Sequence, residues 1–463
     1  MLFLPRKIKL VSMFQRKITK LFSEWRARTT KKALCIVGAR QIGKTTAVRE
    51  FGKSNYAHFV ELNFAKDERA KMIFEGSLDV ETVLTNLTAY VQKPLVAHHT
   101  LILFDEVQEC PRARTAIKFL VEDGRYDYME TGSLLGVRTK EVVSQPVGFE
   151  EIVNMYPMDF EEFLWANGVQ PTTIDYLRAC IEKKETISDS VHDTMSRLFL
   201  LYLIVGGMPD VVGTYVGTKD IGRVVAAQKD ILALYRLDIA KYSSSSERQK
   251  INRIFDSLPG QLNDRNRRFV LTDIDDNGRM NRYANSFQWL VDAGVALPCY
   301  NVSAPQMPLV LNEKYNLFKL YLNDTGLLCA ASLGNVQYEI LNGNVDVNLG
   351  SVLENAIAQE LVANGFSLHY FNAKKYGELD FVLQDGAMVM LVEAKSGKFY
   401  KSHAALDNVL SVKEWSIGKS VVLCKGNVEE GNGVVYLPWY AVMFIRPPMI
   451  PYGSMYQVDV SGL

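Results

Sequence analysis

The chain has 463 residues, of which 48% are hydrophobic, and this length is enough for two or three domains with buried cores. Its 52 basic and 52 acidic residues cancel, which excludes attraction to nucleic acid or membrane through overall charge and leaves only local basic patches. The six cysteines form no CxxC pair, so we expect neither a zinc site nor a disulfide framework. No apolar run is long enough to span a bilayer, and we expect a cytoplasmic protein with reduced thiols.

The N-terminal part of the chain predicts one helix followed by alternating strands and helices. Apolar side chains at Ile18, Leu21, Phe22 and Trp25 follow helical spacing, and we expect this helix to pack on the domain behind it rather than on a membrane. Four apolar runs are expected to form buried strands, at residues 33–37, 58–63, 100–104 and 126–130. The helices between them predict a parallel sheet covered on both faces, and we place this α/β domain at residues 14–215.

A glycine-rich motif follows the first of these strands. The pattern GxxxxGKT spans residues 38–45, between a predicted strand and a predicted helix. Its glycines let the backbone bend around a phosphate, Lys44 would neutralise the β- and γ-phosphates, and the Thr45 hydroxyl would ligate Mg²⁺. The helix that begins here also offers its positive end to the anion. The residues expected to contact nucleotide are Gly38, Ala39, Arg40, Gln41, Ile42, Gly43, Lys44, Thr45 and Thr46.

Two acids end the third strand, at the edge of the sheet where ligands bind in open α/β folds. We expect Asp105 to hold Mg²⁺, directly or through water, and Glu106 to orient the attacking water and accept its proton. Alone, the pair would be two solvated acids at a strand end. Combined with the phosphate loop, it predicts a site that hydrolyses ATP.

The next strand ends at Thr131-Gly132-Ser133, where a hydroxyl group could sense the γ-phosphate from the neighbouring strand. We expect Ser133 to take this catalytic role. An ordinary polar loop, rich in turn residues, is an equal alternative.

Beyond residue 215 the pattern changes. Helical stripes are followed by two strand-like runs at 295–302 and 318–322, which suggests a winged-helix-like domain at residues 216–335. Five arginines in it would contact DNA phosphates, whereas the aspartates among them favour a solvated face or a protein-docking module. These arginines are Arg265, Arg267, Arg268, Arg279 and Arg282. From residue 336 to 463 a helix leads into further strands, which predicts a third, α/β domain.

In the third domain, Asp385-Gly386 predicts a two-residue hairpin turn between strands at 377–383 and 388–394. With that turn, Asp380 would face Leu391. Since residues two apart share a face, Asp380 would lie on the same largely buried face as an acid and a lysine of the second strand.

Those two residues are Glu393 and Lys395, and carboxylates on such a face are costly unless they bind a cation. The spacing D-x12-E-x-K matches metal-dependent nucleases, in which Asp380 and Glu393 would hold Mg²⁺ and Lys395 would stabilise charge on the phosphate. Glu354, on the preceding helix, could reach the same metal. The alternative is an inert, neutralised cluster.

These motifs together resemble those of prokaryotic AAA-type ATPases that carry a C-terminal domain of unknown function. The resemblance is carried by GARQIGKTT at 38–46, FDEVQ at 104–108, TGS at 131–133, YPMDFEEFL at 156–164, GGMPDVV at 206–212, FKLYLNDTGLL at 318–328 and the acid-rich segment 378–397. It implies an AAA-like ATPase core, a winged-helix-like middle and a C-terminal domain similar to restriction-endonuclease-type nucleases. One position differs from the pattern of this family. After Pro146-Val147-Gly148, where an arginine is expected, this chain has Phe149. If that arginine serves ATP hydrolysis in relatives, hydrolysis by this chain is in question.

Three functions therefore compete. The first is a Mg²⁺-dependent ATPase that acts on a nucleic-acid or protein partner. The second is a nucleotide-switched binding module with little hydrolysis, and the third is an ATP-regulated DNA nuclease. The expected cofactors are ATP and Mg²⁺, the expected partner is either double-stranded DNA or a protein, and a homo-oligomer is left open.

Overall fold

The computed structural model describes residues 14–132, 146–243, 245–264, 268–276, 278–344, 349–448 and 455–458. The helices of the N-terminal half are α1 (Ile18–Arg26), α2 (Lys44–Asn55), α3 (Glu68–Met72), α4 (Val80–Val91), α5 (Pro111–Asp123), α6 (Phe160–Ala166), α7 (Pro171–Lys183), α8 (Asp189–Val205) and α9 (Pro209–Thr218). They are followed by α10 (Ile221–Tyr242), α11 (Ser245–Asn263), α12 (Met280–Asp292), α13 (Thr325–Ser332), α14 (Gln337–Leu341), α15 (Gly350–Ala363) and α16 (Ala404–Leu410).

The strands form two separate sheets. The first holds β1 (Ala33–Val37), β2 (His58–Asn63), β3 (Thr100–Asp105), β4 (Asp127–Gly132) and β5 (Glu150–Asn154). The second holds β6 (Ala296–Val302), β7 (Glu313–Leu322), β8 (Leu368–Ala373), β9 (Gly377–Asp385), β10 (Met388–Ala394), β11 (Ile417–Cys424), β12 (Glu429–Gly431) and β13 (Val434–Pro438).

The first sheet has the order β2-β3-β4-β1-β5, and all its strand pairs are parallel. The predicted parallel sheet is thus confirmed, with β1 buried along its whole length. Because β4 lies between β1 and β3, the loop after β1 and the acids after β3 meet at one edge of the sheet. The edge strand β5 was not predicted, since its residues are polar and partly exposed.

The predicted N-terminal helix is α1, and it packs on this domain. Phe22 and Trp25 are fully buried. The ring of Phe22 lies 5.3 Å from that of Phe51 on α2, in an edge-to-face arrangement. No helix in the described part of the chain has the length and hydropathy needed to cross a membrane. All six cysteines are buried free thiols.

The second sheet is mixed, with the order β12-β13-β11-β10-β9-β8-β6-β7. The two strands that we expected in a winged-helix-like middle domain are β6 and β7. They belong to this larger sheet because β6 pairs in parallel with β8, placing Cys299 opposite Leu368. The proposed division of the chain at residues 335 and 336 remains a prediction, and the sheet extends across it.

The hairpin of β9 and β10 has a different register from the predicted one. Its turn is Gly386-Ala387, so Leu391 faces Val382 and not Asp380. Gly386 adopts a left-handed conformation at the first turn position (φ +64°), while Asp385 stays in the strand and pairs with Lys419 at 2.8 Å. The slip is two residues, which leaves every side chain on its predicted face.

The C-terminal half packs firmly on the first domain through buried polar contacts. Glu360 on α15 accepts hydrogen bonds from the backbone N–H of Phe160 at 2.7 Å and from the Tyr202 hydroxyl at 2.9 Å. Asp324, before α13, accepts one from the backbone N–H of Gly207 at 2.6 Å. Buried carboxylates that accept such bonds fix the relative position of the segments they join.

Candidate nucleotide site and C-terminal carboxylate cluster

The loop between β1 and α2 bends sharply, as the glycine-rich motif predicts. Gly38 has φ +145°, and a Cβ atom there would stand 2.2 Å from the carbonyl oxygen of Met155. Gly43 has φ +90° and caps α2. Within this loop the Lys44 ammonium donates to two of the loop's own carbonyls, Gly38 O at 3.0 Å and Ala39 O at 2.7 Å. The loop thus curls around its own lysine.

The Lys44 ammonium loses its proton more readily than that of an ordinary lysine. Burial lowers the pKa of its ammonium to about 8, and the nearby carboxylates of Glu106 and Asp105 oppose that shift only in part. An anion placed beside this ammonium would favour its charged form. The site is therefore suited to phosphate.

Three elements converge on Asp105 at the end of β3. Its Oδ1 accepts hydrogen bonds from the hydroxyls of Thr45 at 2.6 Å and Thr131 at 2.5 Å, and its Oδ2 accepts one from the Asn63 amide. A carboxylate and a threonine hydroxyl in contact form the oxygen donor set that Mg²⁺ prefers, so these residues fit the expected metal.

Asn63 was not singled out from the sequence, and Thr131 was named there only as part of a motif. Thr131 belongs to the same tripeptide as Ser133, to which the sensing role was given, and Ser133 lies outside the described residues. Asn63 ends β2 directly opposite Asp105, and only the pairing of β2 with β3 could have identified it.

Glu106, the expected catalytic base, stands in the same cavity as Lys44. The cavity is also lined by Arg40 and Gln108. Glu106 has a left-handed backbone (φ +55°), and its Oε2 accepts a hydrogen bond of 2.6 Å from the Gln108 amide. The conformation directs the chain away from the strand as soon as β3 ends, and Gln108 holds the carboxylate in place.

The remaining loop residues differ in what surrounds them. Gln41 and Thr46 are exposed, and Gln41 has φ +68°. The Ile42 side chain is fully buried, and its carbonyl accepts a 2.8 Å hydrogen bond from the guanidinium of Arg16. Arg16, which also pairs with Glu162 at 3.0 Å, therefore braces the loop from the N-terminal segment.

Two helices from the middle of the chain cover this loop, a feature that the sequence did not predict. Tyr235, Asp238 and Ile239 of α10, with Trp289 of α12, line the cavity that holds Lys44 and Glu106. These residues lie far from the motif in the chain and carry no recognisable local pattern.

In the second sheet, the three residues of the nuclease-like pattern come together on β9 and β10. The backbone N–H of Asp380 donates to Glu393 Oε2 at 3.3 Å, and Asp380 Oδ2 accepts from the backbone N–H of Ala394 at 2.9 Å. Lys395 pairs with Glu393 Oε1 at 2.7 Å. Burial and the neighbouring Asp380 raise the pKa of Glu393 to about 7, against the lowering effect of Lys395.

Glu354 lies next to a buried cation that the sequence analysis missed. Its side chain is fully buried on α15 and accepts hydrogen bonds from Lys319 at 3.0 Å and from the Tyr321 hydroxyl. Lys319 also pairs with Glu378 at 2.8 Å. Because Lys319 sits in the apolar run of β7, its pattern indicated an ordinary strand.

Of the five arginines expected to contact DNA, three are described. Arg268, Arg279 and Arg282 are exposed, and Arg265 and Arg267 lie outside the described residues.

Comparison with known proteins identifies the first domain. Residues 30–164, which include the phosphate loop and both acids, match the family model of an AAA domain. This segment is thus similar to AAA domains. The prediction of an AAA-type P-loop domain is thereby confirmed, whereas its boundaries at 14 and 215 remain predictions. Residues 196–337 match a domain of unknown function (DUF8612), and residues 349–442 match another (DUF4143).

Solved structures also resemble the chain, at low identity. A Walker-type ATPase of Pyrococcus abyssi is 12% identical, with 69% of this chain and 96% of that chain covered and a TM-score of 0.41. The ORC1 protein of Aeropyrum pernix in complex with DNA is 13% identical over 73% and 97% of the two chains, with a TM-score of 0.29. Cdc6p from Pyrobaculum aerophilum is 11% identical over 71% and 93%, with a TM-score of 0.26. No curated protein matches the present chain.

Proposed function

We propose that this protein is a Mg²⁺-dependent ATPase whose AAA domain couples nucleotide state to a nucleic-acid or protein partner. The observation that carries the proposal is the convergence of Lys44, the Thr45–Asp105 pair and Glu106 at one edge of the first sheet. These groups supply a phosphate-binding cation, a magnesium ligand pair and a general base.

Each group has a defined task. The loop amides and Lys44 bind the β- and γ-phosphates at the positive end of α2. Thr45 and Asp105 would hold Mg²⁺, which neutralises charge on the phosphates. Glu106 accepts a proton from the attacking water, with Gln108 keeping its carboxylate oriented, and Thr131 fixes the rotamer of Asp105.

The binding step is tested with Lys44→Ala. At about a hundredfold excess over its dissociation constant, ATP should stabilise the wild-type protein by roughly 2.7 kcal/mol, and the variant should lose this gain. Lys53→Ala is the matched control, since Lys53 is an exposed cation at the other end of the same helix. An unchanged ATP-induced melting shift in Lys44→Ala would show that the loop is not the site.

Phe149 stands where the resemblance leads us to expect an arginine, and this difference raises the question whether the protein hydrolyses ATP or serves as a nucleotide-controlled switch. Steady-state phosphate release with and without duplex DNA measures turnover directly. We expect the wild-type protein to hydrolyse ATP and the Phe149→Arg variant to hydrolyse it faster. Wild-type turnover no higher than that of Lys44→Ala would instead favour the nucleotide-switched binding module.

The partner is proposed to bind through the middle of the chain, which we interpret as winged-helix-like. Exposed Arg268, Arg279 and Arg282 would give salt-dependent DNA binding through phosphate contacts. Fluorescence anisotropy with duplex DNA and the full chain tests this, with the three arginines changed to glutamine as the comparison. Equal binding by both proteins would place the DNA contacts on other residues, and no binding by the wild type would leave a protein as the partner.

A second candidate function, metal-dependent cleavage of nucleic acid, is favoured by the contact between Asp380 and Glu393 on the second sheet. We interpret this part of the chain as a nuclease-like domain. Asp380 and Glu393 would hold Mg²⁺, Lys395 would stabilise charge on the phosphate, and Glu354 would contribute from α15. Cutting of DNA or RNA with Mg²⁺ or Mn²⁺ should be lost in Asp380→Ala. If the variant cuts as well as the wild type, the cluster is catalytically inert.

A further inference from the structure

The phosphate loop of the AAA domain is held by an ion pair with a helix of the middle segment. The Arg40 guanidinium, at the third position of the loop, pairs with the carboxylate of Asp238 on α10. The Tyr235 hydroxyl of the same helix lies 3.4 Å from the carbonyl oxygen of Arg40. The turn after α12 also touches the loop, since a Cβ atom on Gly294 would stand 2.7 Å from the backbone nitrogen of Ala39.

Asp238 is a carboxylate placed where an anionic ligand of the loop would compete with it. The charges of Arg40, Lys241 and Glu106 act on the pKa of Asp238. The charge of Asp238 acts in turn on the pKa of Lys44. The side chain of Asp238 is only 17% exposed. A terminal phosphate that reached Lys44 and Arg40 would therefore meet a like charge that water screens poorly.

The space between the loop and these helices is narrow. The cavity lined by Lys44, Glu106, Asp238 and Trp289 has a volume of about 60 Å³. A terminal phosphate that entered this space would press on α10 and α12.

Two residues that line this cavity carry unsatisfied polar atoms, which favours a polar ligand at this place. The indole Nε1 of Trp289 and the Oε1 of Gln108 are buried without a hydrogen-bond partner among the described residues. Buried polar atoms are rarely left unpaired, and those that are call for an explanation. A ligand with both donors and acceptors supplies one.

We propose that Asp238 makes the site distinguish ATP from ADP by competing with the γ-phosphate for Arg40. This inference rests on the proposed function. ADP leaves the Arg40–Asp238 ion pair intact, so α10 and α12 stay on the loop. ATP transfers Arg40 to its terminal phosphate, and the repulsion between that phosphate and Asp238 releases both helices. Nucleotide state is thereby converted into the position of the middle segment.

The test is the ratio of the dissociation constants for ADP and ATP, measured by calorimetry in the full chain with Mg²⁺. Asp238→Asn keeps the size of the side chain and removes the competing charge, so the ratio should rise in favour of ATP by about fivefold or more. Asp256→Asn is the matched control, because Asp256 on α11 pairs with Arg236 of α10 at 2.8 Å and both side chains are exposed. Arg40→Gln should lower the ratio. This second variant tests the inference if Asp238→Asn does not fold.

Tryptophan fluorescence gives an independent measure of the helix movement. ATP should change the emission of the wild-type protein more than ADP does, and Trp289→Phe should remove that difference. Trp415→Phe should retain it, because Trp415 packs on Phe371 and Tyr376 in the second sheet.

Three results would be decisive. A ratio raised in Asp238→Asn and unchanged in Asp256→Asn supports the inference. If ATP binds in a Lys44-dependent manner but the ratio is the same in Asp238→Asn and Asp256→Asn, the inference is overturned and the proposed function stands. Absence of ATP binding by the wild type overturns both.

Discussion

The hydroxyl of Thr45 donates a 2.6 Å hydrogen bond to Asp105 Oδ1, although 60 residues separate the two in the chain. Thr45 lies in the first turn of α2 and Asp105 ends β3, so the contact depends on β4, which sets the distance between β1 and β3. Both oxygens are hard ligands of the kind that Mg²⁺ selects. The pair proposed to hold Mg²⁺ is thus brought together by the fold itself.

The lowered pKa of Lys44 predicts a pH dependence of ATP binding. At pH 7 its ammonium is charged, and above the pKa of about 8 the nucleotide-free protein increasingly holds the neutral amine. Phosphate binds the charged form, so ATP affinity should fall as the pH rises above 8, by up to about tenfold per pH unit. Calorimetry in buffers of different ionisation enthalpy should detect proton uptake on binding near pH 8.5. Lys44→Arg, which cannot lose its proton, should show none.

Replacing Glu106 by glutamine should separate binding from hydrolysis. The amide keeps the size of the side chain but cannot accept a proton, so turnover should fall about 10²- to 10⁴-fold while the dissociation constant for ATP stays unchanged. Steady-state phosphate release and calorimetry provide the two measurements. Glu109→Gln, three residues further along and paired with Lys241 at 3.4 Å, should hydrolyse ATP at the wild-type rate. Equal rates in wild type and Glu106→Gln would exclude Glu106 as the base.

Gly294→Ala should destabilise the protein through a steric clash as well as through backbone strain. Gly294 has φ +71°, and the added Cβ atom would lie 2.7 Å from the nitrogen of Ala39. Gly124 at the end of α5 has a similar φ of +74° and nothing within 4 Å, so Gly124→Ala measures the strain alone. Left-handed strain costs about 1–2 kcal/mol, and the clash should add about 1–3 kcal/mol in Gly294→Ala. Urea unfolding of both variants gives the comparison, and equal losses would mean that the turn does not press on the phosphate loop.

Glu393→Gln should raise the melting temperature at high pH in the presence of EDTA. The pKa of Glu393 is about 7 in the folded protein and near 4.5 when unfolded, so the folded state binds more protons between these values. Its contribution to stability is therefore present below pH 4.5 and lost as the pH rises through 7. The gain from Glu393→Gln should be largest at pH 8 and small at pH 5. Glu429→Gln, at an exposed glutamate paired with Lys401, should show no such pH dependence.

Local patterns predicted the parts of the fold that short segments specify. The bounds of β1 and β10 agree with the predicted ones because each is an apolar run closed by clear turn or loop residues. The glycine-rich motif likewise contains within itself the residues that shape the phosphate loop. The hairpin turn was placed one residue too early because a single glycine, Gly386, can occupy either turn position after Asp385.

Features formed by distant segments were not predictable in this way. Asp238 meets Arg40 across 198 residues, and Lys319 meets Glu354 across 35. Nothing in the immediate sequence of Asp238 or Lys319 differs from an ordinary helix or strand. Only the packing of α10 on the loop, and of β7 beside α15, gives these two charged residues their partners.

The pairing of β6 with β8 has a consequence for how this protein can be divided. A fragment that began at residue 336 would lose β6 and β7, and the row of backbone amides and carbonyls along β8 would become an open edge prone to aggregation. The same cut would separate Lys319 from Glu354 and leave a buried carboxylate without its cation. Expression of the last third of the chain should therefore start before Ala296. Recombination between related genes would meet the same restriction. An exchange at a point between residues 296 and 367 would build one sheet from the strands of two different proteins, and those strands evolved beside different neighbours.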